Sequence, residues 1–404
     1  MEKETLVIVG AGMAATRLVD ELIAAAPGRY AIHVIGEEPR LAYNRVLLSS
    51  ALTGEVRLDD IVLKPREWWR ANGVEITTGQ KAVRLDTASR VLVLEDGERI
   101  AYSKLVLATG SRAMRLPIEG ADLPGVHTFR DMQDVEALAR LGAKGASVLV
   151  IGGGLLGLEA AYGLVKRGAR VTLAHVMDRL MERQLDQAGA AILHRMVEEK
   201  GVRVMLRANA SHIRGDGCVE RVEFEDGRSL PADAVVFAVG VRPNVELAKA
   251  GGLAVNRGVV VDDGLATSDA NVFAIGECVE HRGQCYGLVE PAYEHARVLA
   301  ARLAGADAVY HGSLVATNLK VSGVRVFSAG DFIAGEGLCE IVCKDPRLGV
   351  YRKLVIEGDC LKGAVLIGDT SSASAYLDLI RTGNNIATIR DELVFEAPQL
   401  REAA

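Results

Sequence analysis

Two copies of one pattern constrain this chain more than anything else in it: a short apolar run that stops at glycines and restarts as an amphipathic helix. Leu6-Val7-Ile8-Val9 meets Gly10-Ala11-Gly12, and helical periodicity follows from Met13 to Ala25. Val148-Leu149-Val150-Ile151 meets Gly152-Gly153-Gly154, and periodicity follows from Leu155 to Lys166. A run that is apolar at every position suits a strand buried on both faces of a parallel sheet, with the helix as its crossover. A second β-rich run follows each helix, Tyr30 to Ile35 and Arg170 to Ala174. The chain therefore reads as α/β with two Rossmann-like dinucleotide-binding domains, and its 404 residues are too many for one ordinary core.

In the first fingerprint, Gly10 allows the tight turn, Gly12 lets the backbone approach a pyrophosphate, and Ala15 lets helix and strand pack closely. The helix N-terminus adds free N–H groups and the positive end of its dipole. The following strand ends at Gly36-Glu37-Glu38, where a carboxylate can hydrogen-bond an adenosine ribose; Glu37 is the choice and Glu38 reads as solvated. The second fingerprint, Gly152-x-Gly154-x-x-Gly157, is fuller but lacks the acid, because its strand ends at His175 with Arg179 close behind. A cation near this position can favour a 2′-phosphate, so His175 and Arg179 point to relaxed or NADPH-leaning selectivity, unless His175 is simply a surface residue. Glu159 reads as a first-turn residue, facing the nicotinamide or merely favouring the helix N-terminus electrostatically.

Between the two units lie a helix around Arg66 to Asn72, a strand-rich stretch from Val74 to Ile100, and a strand from Lys104 to Ala108. Beyond them come strands near Val202 to Leu206, Val219 to Phe224, Ala234 to Val239 and Val272 to Ile275, then a helix from Pro291 to Leu303. From about residue 311 the chain turns β-rich with a late helix, Ser374 to Arg381, which suggests a small α+β C-terminal domain.

Composition excludes several classes. A formal charge of -6 and 4% aromatic residues leave no basic footprint and few rings for stacking bases, so nucleic acid is not an expected partner. No apolar run reaches the roughly 20 residues of a membrane span, and the N-terminus lacks a basic leader, so the expectation is a cytoplasmic protein. The six cysteines, Cys218, Cys278, Cys285, Cys339, Cys343 and Cys360, then read as reduced thiols; Cys339 and Cys343 do not have the usual zinc or iron–sulfur spacing, and no metal is expected.

The joining segments carry a resemblance. Leu107-Ala108-Thr109-Gly110-Ser111 and Val239-Gly240-Val241-Arg242-Pro243-Asn244 resemble the two crossings between the FAD and NAD domains of two-dinucleotide flavoproteins. Phe273-Ala274-Ile275-Gly276-Glu277 resembles their second FAD motif, whose acid binds the ribityl chain; Glu277 stands where most members have Asp. Tyr43 to Ser49, Met181 to Asp186, Gly276-Glu277-Cys278, His281 to Val289, and Lys320 to Val324 leading to Phe327 to Asp331 narrow this. In order, to about residue 395, they are similar to the N-terminal flavoprotein part of the bacterial NAD(P)H-dependent nitrite reductase large subunit, related to rubredoxin and ferredoxin reductases.

That resemblance implies FAD and NADH or NADPH as cofactors, and domains at 1–112 with 240–310 (FAD), 113–239 (NAD(P)H) and 311–404 (C-terminal, interface). It implies FAD contacts at Arg45, Thr109, Gly110, Gly276 and Glu277, and a nicotinamide-nucleotide contact at Gly240. Lys64, Glu159 and Glu290 are positional candidates near the flavin, with no general base or nucleophile assigned. The iron–sulfur and sirohaem modules of the full reductase have no counterpart, and the ending Gln399 to Ala404 leaves open that the chain is a piece of a longer one. Disulfide reductases of this fold carry reactive cysteines near Tyr43 to Ser50; here none precedes Cys218, so electrons are expected to leave the flavin directly. The implied acceptor is a separate iron–sulfur protein or a sirohaem or molybdenum reductase, with a homodimer allowed; alternatives are a general rubredoxin or ferredoxin reductase and a non-catalytic FAD-binding redox sensor.

Overall fold

The computed structural model describes residues 3–321, 323–333 and 335–395, with the side chains of 318–321 left aside. Ser322, within the Lys320 to Val324 motif, and the terminal Gln399 to Ala404 lie outside the described residues. The chain divides into two compact units: Met1–Leu48, Val56–Arg112 and Val241–Ser313 form one, and Ser49–Glu55, Ala113–Gly240 and Leu314–Ala404 the other.

The first unit is built on a five-stranded parallel sheet in the order Val272–Ala274, Lys104–Leu107, Glu4–Val9, Tyr30–Gly36, Val74–Thr78. Its central strand explains its own sequence: Leu6, Val7 and Ile8 are fully buried, so both faces need apolar side chains. Helix Met13–Ala25 packs Ala15, Leu18, Val19 and Leu22 inward, and helix Val289–Leu303 packs against it. A three-stranded antiparallel meander, Ala82–Asp86, Val91–Leu94 and Arg99–Ala101, precedes the fourth strand of the chain's parallel set.

The second unit repeats this plan. Its parallel sheet runs Val202–Met205, Arg170–Ala174, Ser147–Ile151, Ala234–Phe237, Val126–Thr128. A meander of Ala210–Arg214, Arg221–Phe224 and Ser229–Pro231 again precedes the returning strand. The sequence repeat is thus a repeat of whole supersecondary units. The same unit holds an antiparallel sheet in the order Ala316–Val321, Val324–Gly330, Cys360–Ile367, Val350–Glu357, Cys339–Asp345, with helix Ala373–Thr382 packed on it through Tyr376 and Leu379.

Fingerprint helices Met13–Ala25 and Leu155–Lys166 have the limits expected from periodicity. Helices Met132–Ala143 and Gln187–Glu199 were not anticipated, although each opens on an aspartate cap, Asp131 and Asp186. In the second, Gly189 and three alanines dilute the apolar stripe that would have announced it. Among the described residues, no helix is long and apolar enough to cross a membrane.

Candidate functional site

At the end of strand Glu4–Val9 the chain turns at Gly10, whose φ of 112° lies in the left-handed region. A Cβ there would stand 2.1 Å from the Ala108 carbonyl oxygen, so only glycine fits. Gly12 is different: it caps helix Met13–Ala25 with no capping side chain, and a Cβ on it would meet nothing within 4 Å. Open space in front of uncapped helical N–H groups is the shape a pyrophosphate fills.

The second fingerprint has the same geometry. Gly152 has φ 123° and would press a Cβ to 2.2 Å from Ala238 O; Gly157 would press one to 1.9 Å from Gly152 O. Gly154 again caps its helix without a side chain and faces open space. Both loops therefore fit the phosphates of a dinucleotide.

Around the first loop, Glu37 is exposed and pairs with Lys81 at 2.8 Å. Glu38 is not simply solvated: it accepts hydrogen bonds from the Tyr43 hydroxyl at 2.8 Å and from the Arg45 guanidinium, which also lies over the Tyr43 ring. The crossing segments are stapled together, with Thr109 Oγ1 donating to Asn244 O at 2.8 Å, Asn244 Nδ2 to Thr109 O at 2.9 Å, and Asn244 N–H to Gly110 O at 2.9 Å. The Asn244 side-chain amide holds the turn, a role that the motif alone does not reveal. Gly240, with φ 109°, accepts from Met114 N–H.

Gly276 and Glu277 sit in a short 3-10 turn, Gly276–Cys278, where Ser111 Oγ donates to Glu277 Oε2 at 2.6 Å. Gly276 N–H donates to Nδ1 of His295, a buried ring whose pKa burial and nearby His281 push down to about 3. This neutral acceptor fixes the turn that carries Glu277, and nothing in the sequence pattern marked it. Cys278 is fully buried, and burial pushes its thiol pKa up, which leaves it an inert packing residue.

Around the second loop, His175 is 7% exposed, so the surface reading is wrong: its ring lies under Gly153. Arg179 is held by Asp178 at 3.0 Å and by Leu185 O at 3.3 Å. Of the three positional candidates, Lys64 pairs with Asp20 at 2.9 Å and lies over the Trp68 ring, and Glu290 pairs with Arg297 at 2.9 Å on the surface.

Glu159 lies in the second turn of helix Leu155–Lys166, not the first. Burial pushes its carboxyl up to about 7 against the opposing hydrogen bond from Ser49. A carboxyl raised in the folded chain stabilises folding fully below its unfolded pKa, and that stability is lost as pH rises through the folded value. Stability should therefore fall by about 3 kcal/mol between roughly pH 4.5 and 7 and then level off. Urea midpoints across this window should decline for the wild type and stay flat for Glu159→Gln; parallel curves would refute the assignment.

The family model described as pyridine nucleotide-disulphide oxidoreductase matches residues 4–298, and that of the rubredoxin NAD+ reductase C-terminal domain matches 316–384. The chain is 42% identical over 389 residues to the nitrite reductase [NAD(P)H] of Bacillus subtilis (strain 168), covering 96% of this chain and 48% of that protein. It is 39% identical over 395 residues to that organism's assimilatory nitrate reductase electron transfer subunit, covering 98% and 51%. The chain thus spans about half the length of the curated relatives it matches. Among solved structures, a ferredoxin reductase from Rhodopseudomonas palustris superposes with a TM-score of 0.86 at 27% identity, covering 97% of this chain and 100% of that one. The loops fit their nucleotides and the family model covers most of the chain: it belongs to the pyridine nucleotide-disulphide oxidoreductase family, as an NAD(P)H-dependent FAD oxidoreductase.

Proposed function

We propose that this chain takes hydride from NADH or NADPH at the second fingerprint and delivers the electrons directly to a separate redox protein, a nitrite or nitrate reductase component, in the cytoplasm. One observation carries the direct route: the segment Tyr43 to Ser50, where disulfide reductases of this fold carry reactive cysteines, has serines at 49 and 50 and no cysteine, and the first cysteine of the sequence is Cys218. FAD, when bound, accepts two electrons as hydride and can release them singly. The chain's own residues bind and orient: the two glycine loops would hold pyrophosphates, and Glu277, held by the Ser111 hydroxyl, would make the ribityl contact that the resemblance implies. No side chain needs to move a proton for hydride to pass. The FAD part (1–112 and 240–310), the NAD(P)H part (113–239) and a C-terminal part (311–404) that meets the partner or a second copy belong to this reading; sedimentation at micromolar concentration decides the homodimer.

A second reading, delivery to a rubredoxin or ferredoxin, is favoured by the rubredoxin reductase-type C-terminal match and by the Rhodopseudomonas likeness. Anaerobic NADH or NADPH should bleach the flavin. The reduced protein, mixed with a nitrite or nitrate reductase component, should then reoxidise at least about tenfold faster than with rubredoxin or ferredoxin. The reverse order would select the second reading, and flavin that neither nucleotide bleaches would overturn both.

A further inference from the structure

We propose that Glu182, presented by the buried His175, is the carboxylate that receives the adenosine ribose of the nicotinamide nucleotide and makes this chain prefer NADH to NADPH. The inference rests on the reading of Gly152 to Gly157 as the nicotinamide-nucleotide loop.

The strand that an acid should follow, Arg170–Ala174, is followed by His175. Its ring does not reach outward. Gly153 N–H donates to His175 Nδ1 at 3.0 Å, so that nitrogen has no proton and Nε2 carries it. Nε2 then donates to Glu182 Oε2 at 3.1 Å. The backbone of the glycine loop thereby fixes the tautomer, and the tautomer fixes the carboxylate.

The arrangement explains a glycine that the fingerprint does not require. A Cβ on Gly153 would stand 2.5 Å from His175 Cγ, so the middle position must be glycine for the ring to fit. The backbone holds Glu182 in place as well. Met181 is fully buried in the left-handed region with φ 50°, and its N–H donates to Gly153 O at 3.0 Å. The glycine loop thus grips the 175–182 segment from both sides, with Glu182 one residue beyond the second grip.

The charge balance favours a ribose diol over a 2′-phosphate. Glu182 has no Lys or Arg within ion-pair distance among the described residues, and its side chain is 24% exposed. Arg179, the cation the sequence offered to a phosphate, is engaged by Asp178 and the Leu185 carbonyl. Arg183, exposed beside Glu182, is the group a 2′-phosphate would have to use. A carboxylate at this point accepts from ribose hydroxyls and repels a phosphate, which is discrimination by an introduced repulsion.

The test is calorimetric titration of the FAD-loaded protein with NAD+ and, separately, NADP+. The wild type should bind NAD+ at least about tenfold tighter. Glu182→Gln, which can still accept the His175 hydrogen bond, should bring the two affinities within about threefold, and Arg183→Ala should leave the wild-type ratio intact. Glu182→Ala in a folded, flavin-retaining protein guards against a glutamine that still serves the ribose. Equal or tighter NADP+ binding by the wild type, or an unchanged ratio in both Glu182 variants, overturns the assignment while leaving the loop as a nucleotide site. Failure of both nucleotides to bind the flavin-loaded protein overturns the nucleotide reading itself, and this inference with it.

Discussion

Gly154→Asp should give a folded, yellow protein that NADH and NADPH no longer bleach, and Gly12→Asp a folded protein that purifies without flavin. The expectation rests on what each glycine touches. Neither residue has a left-handed φ; Gly12 is at -101° and Gly154 at -81°, backbone that any residue adopts. A side chain on either enters open space. Aspartate is a preferred N-cap, worth a few tenths of a kcal/mol over glycine, so folding should be undisturbed or slightly improved. The same carboxylate would sit where the pyrophosphate must come, and two anions competing for one helix N-terminus should cost at least about 4 kcal/mol of binding, or about a thousandfold in kcat/KM for Gly154→Asp. The neighbouring Gly10 and Gly152 make the contrast, since a Cβ at either meets a backbone carbonyl near 2 Å at positive φ, and substitution there should damage fold and function together. Flavin content, thermal unfolding and anaerobic titration of all four variants separate the classes. Retained nucleotide reduction in Gly154→Asp, or unfolding as severe as in the Gly152 variant, would remove the argument that these second glycines serve the ligand.

The repeat was legible because burial on both faces of a parallel strand leaves no room for polar residues, so Leu6 to Val9 and Val148 to Ile151 announce themselves, and the glycines that stop them stand out because the backbone at Ala108 and at Ala238 leaves room for no other residue type at Gly10 and Gly152. Limits of the fingerprint helices follow for the same reason. Side-chain direction at a strand end was not legible. His175 follows the last residue of its strand, and the sequence cannot say that its ring turns under Gly153, since that depends on a hydrogen bond across 22 positions. Glu38 likewise gave no sign that Tyr43 and Arg45 would converge on it. The Ser49–Glu159 bond and the Gly276–His295 bond join segments far apart in sequence, and no periodicity encodes such meetings. The cap of helix Gln187–Glu199 was visible as an aspartate, but alanines and a glycine concealed the helix behind it.

That same aspartate carries the second large effect. Asp186 caps its helix by accepting from Gly189 N–H at 3.0 Å, and it accepts from the Tyr351 hydroxyl at 2.7 Å and from Lys353 Nζ at 3.2 Å. Lys353 is buried and pairs also with Glu340. Burial and the adjacent Asp186 raise the Tyr351 pKa, so the phenol stays a donor. Gly189 lets the helix and the sheet lie close, because a Cβ there would already touch Ile367 and Tyr351 at 3.2 and 3.3 Å. One carboxylate thus ties helix Gln187–Glu199 to the antiparallel sheet of the same unit. Asp186→Ala removes the cap, worth about 1 kcal/mol, and strips a buried ammonium of one of its two carboxylates, worth about 3 kcal/mol. Asp186→Asn keeps the cap through Oδ1 but turns its amide NH2 toward Tyr351 and Lys353, so it should spare only the cap's share, about 1 kcal/mol, of the loss. Both tryptophans, Trp68 and Trp69, belong to the other unit, so fluorescence-detected unfolding of that unit should be nearly unmoved. Amide exchange in strand Val350–Glu357 should instead accelerate by at least about a hundredfold in Asp186→Ala, as opening of that sheet becomes easier. Unchanged protection there, with the helix still intact, would mean that apolar contacts alone hold the sheet and that the buried carboxylate contributes nothing net.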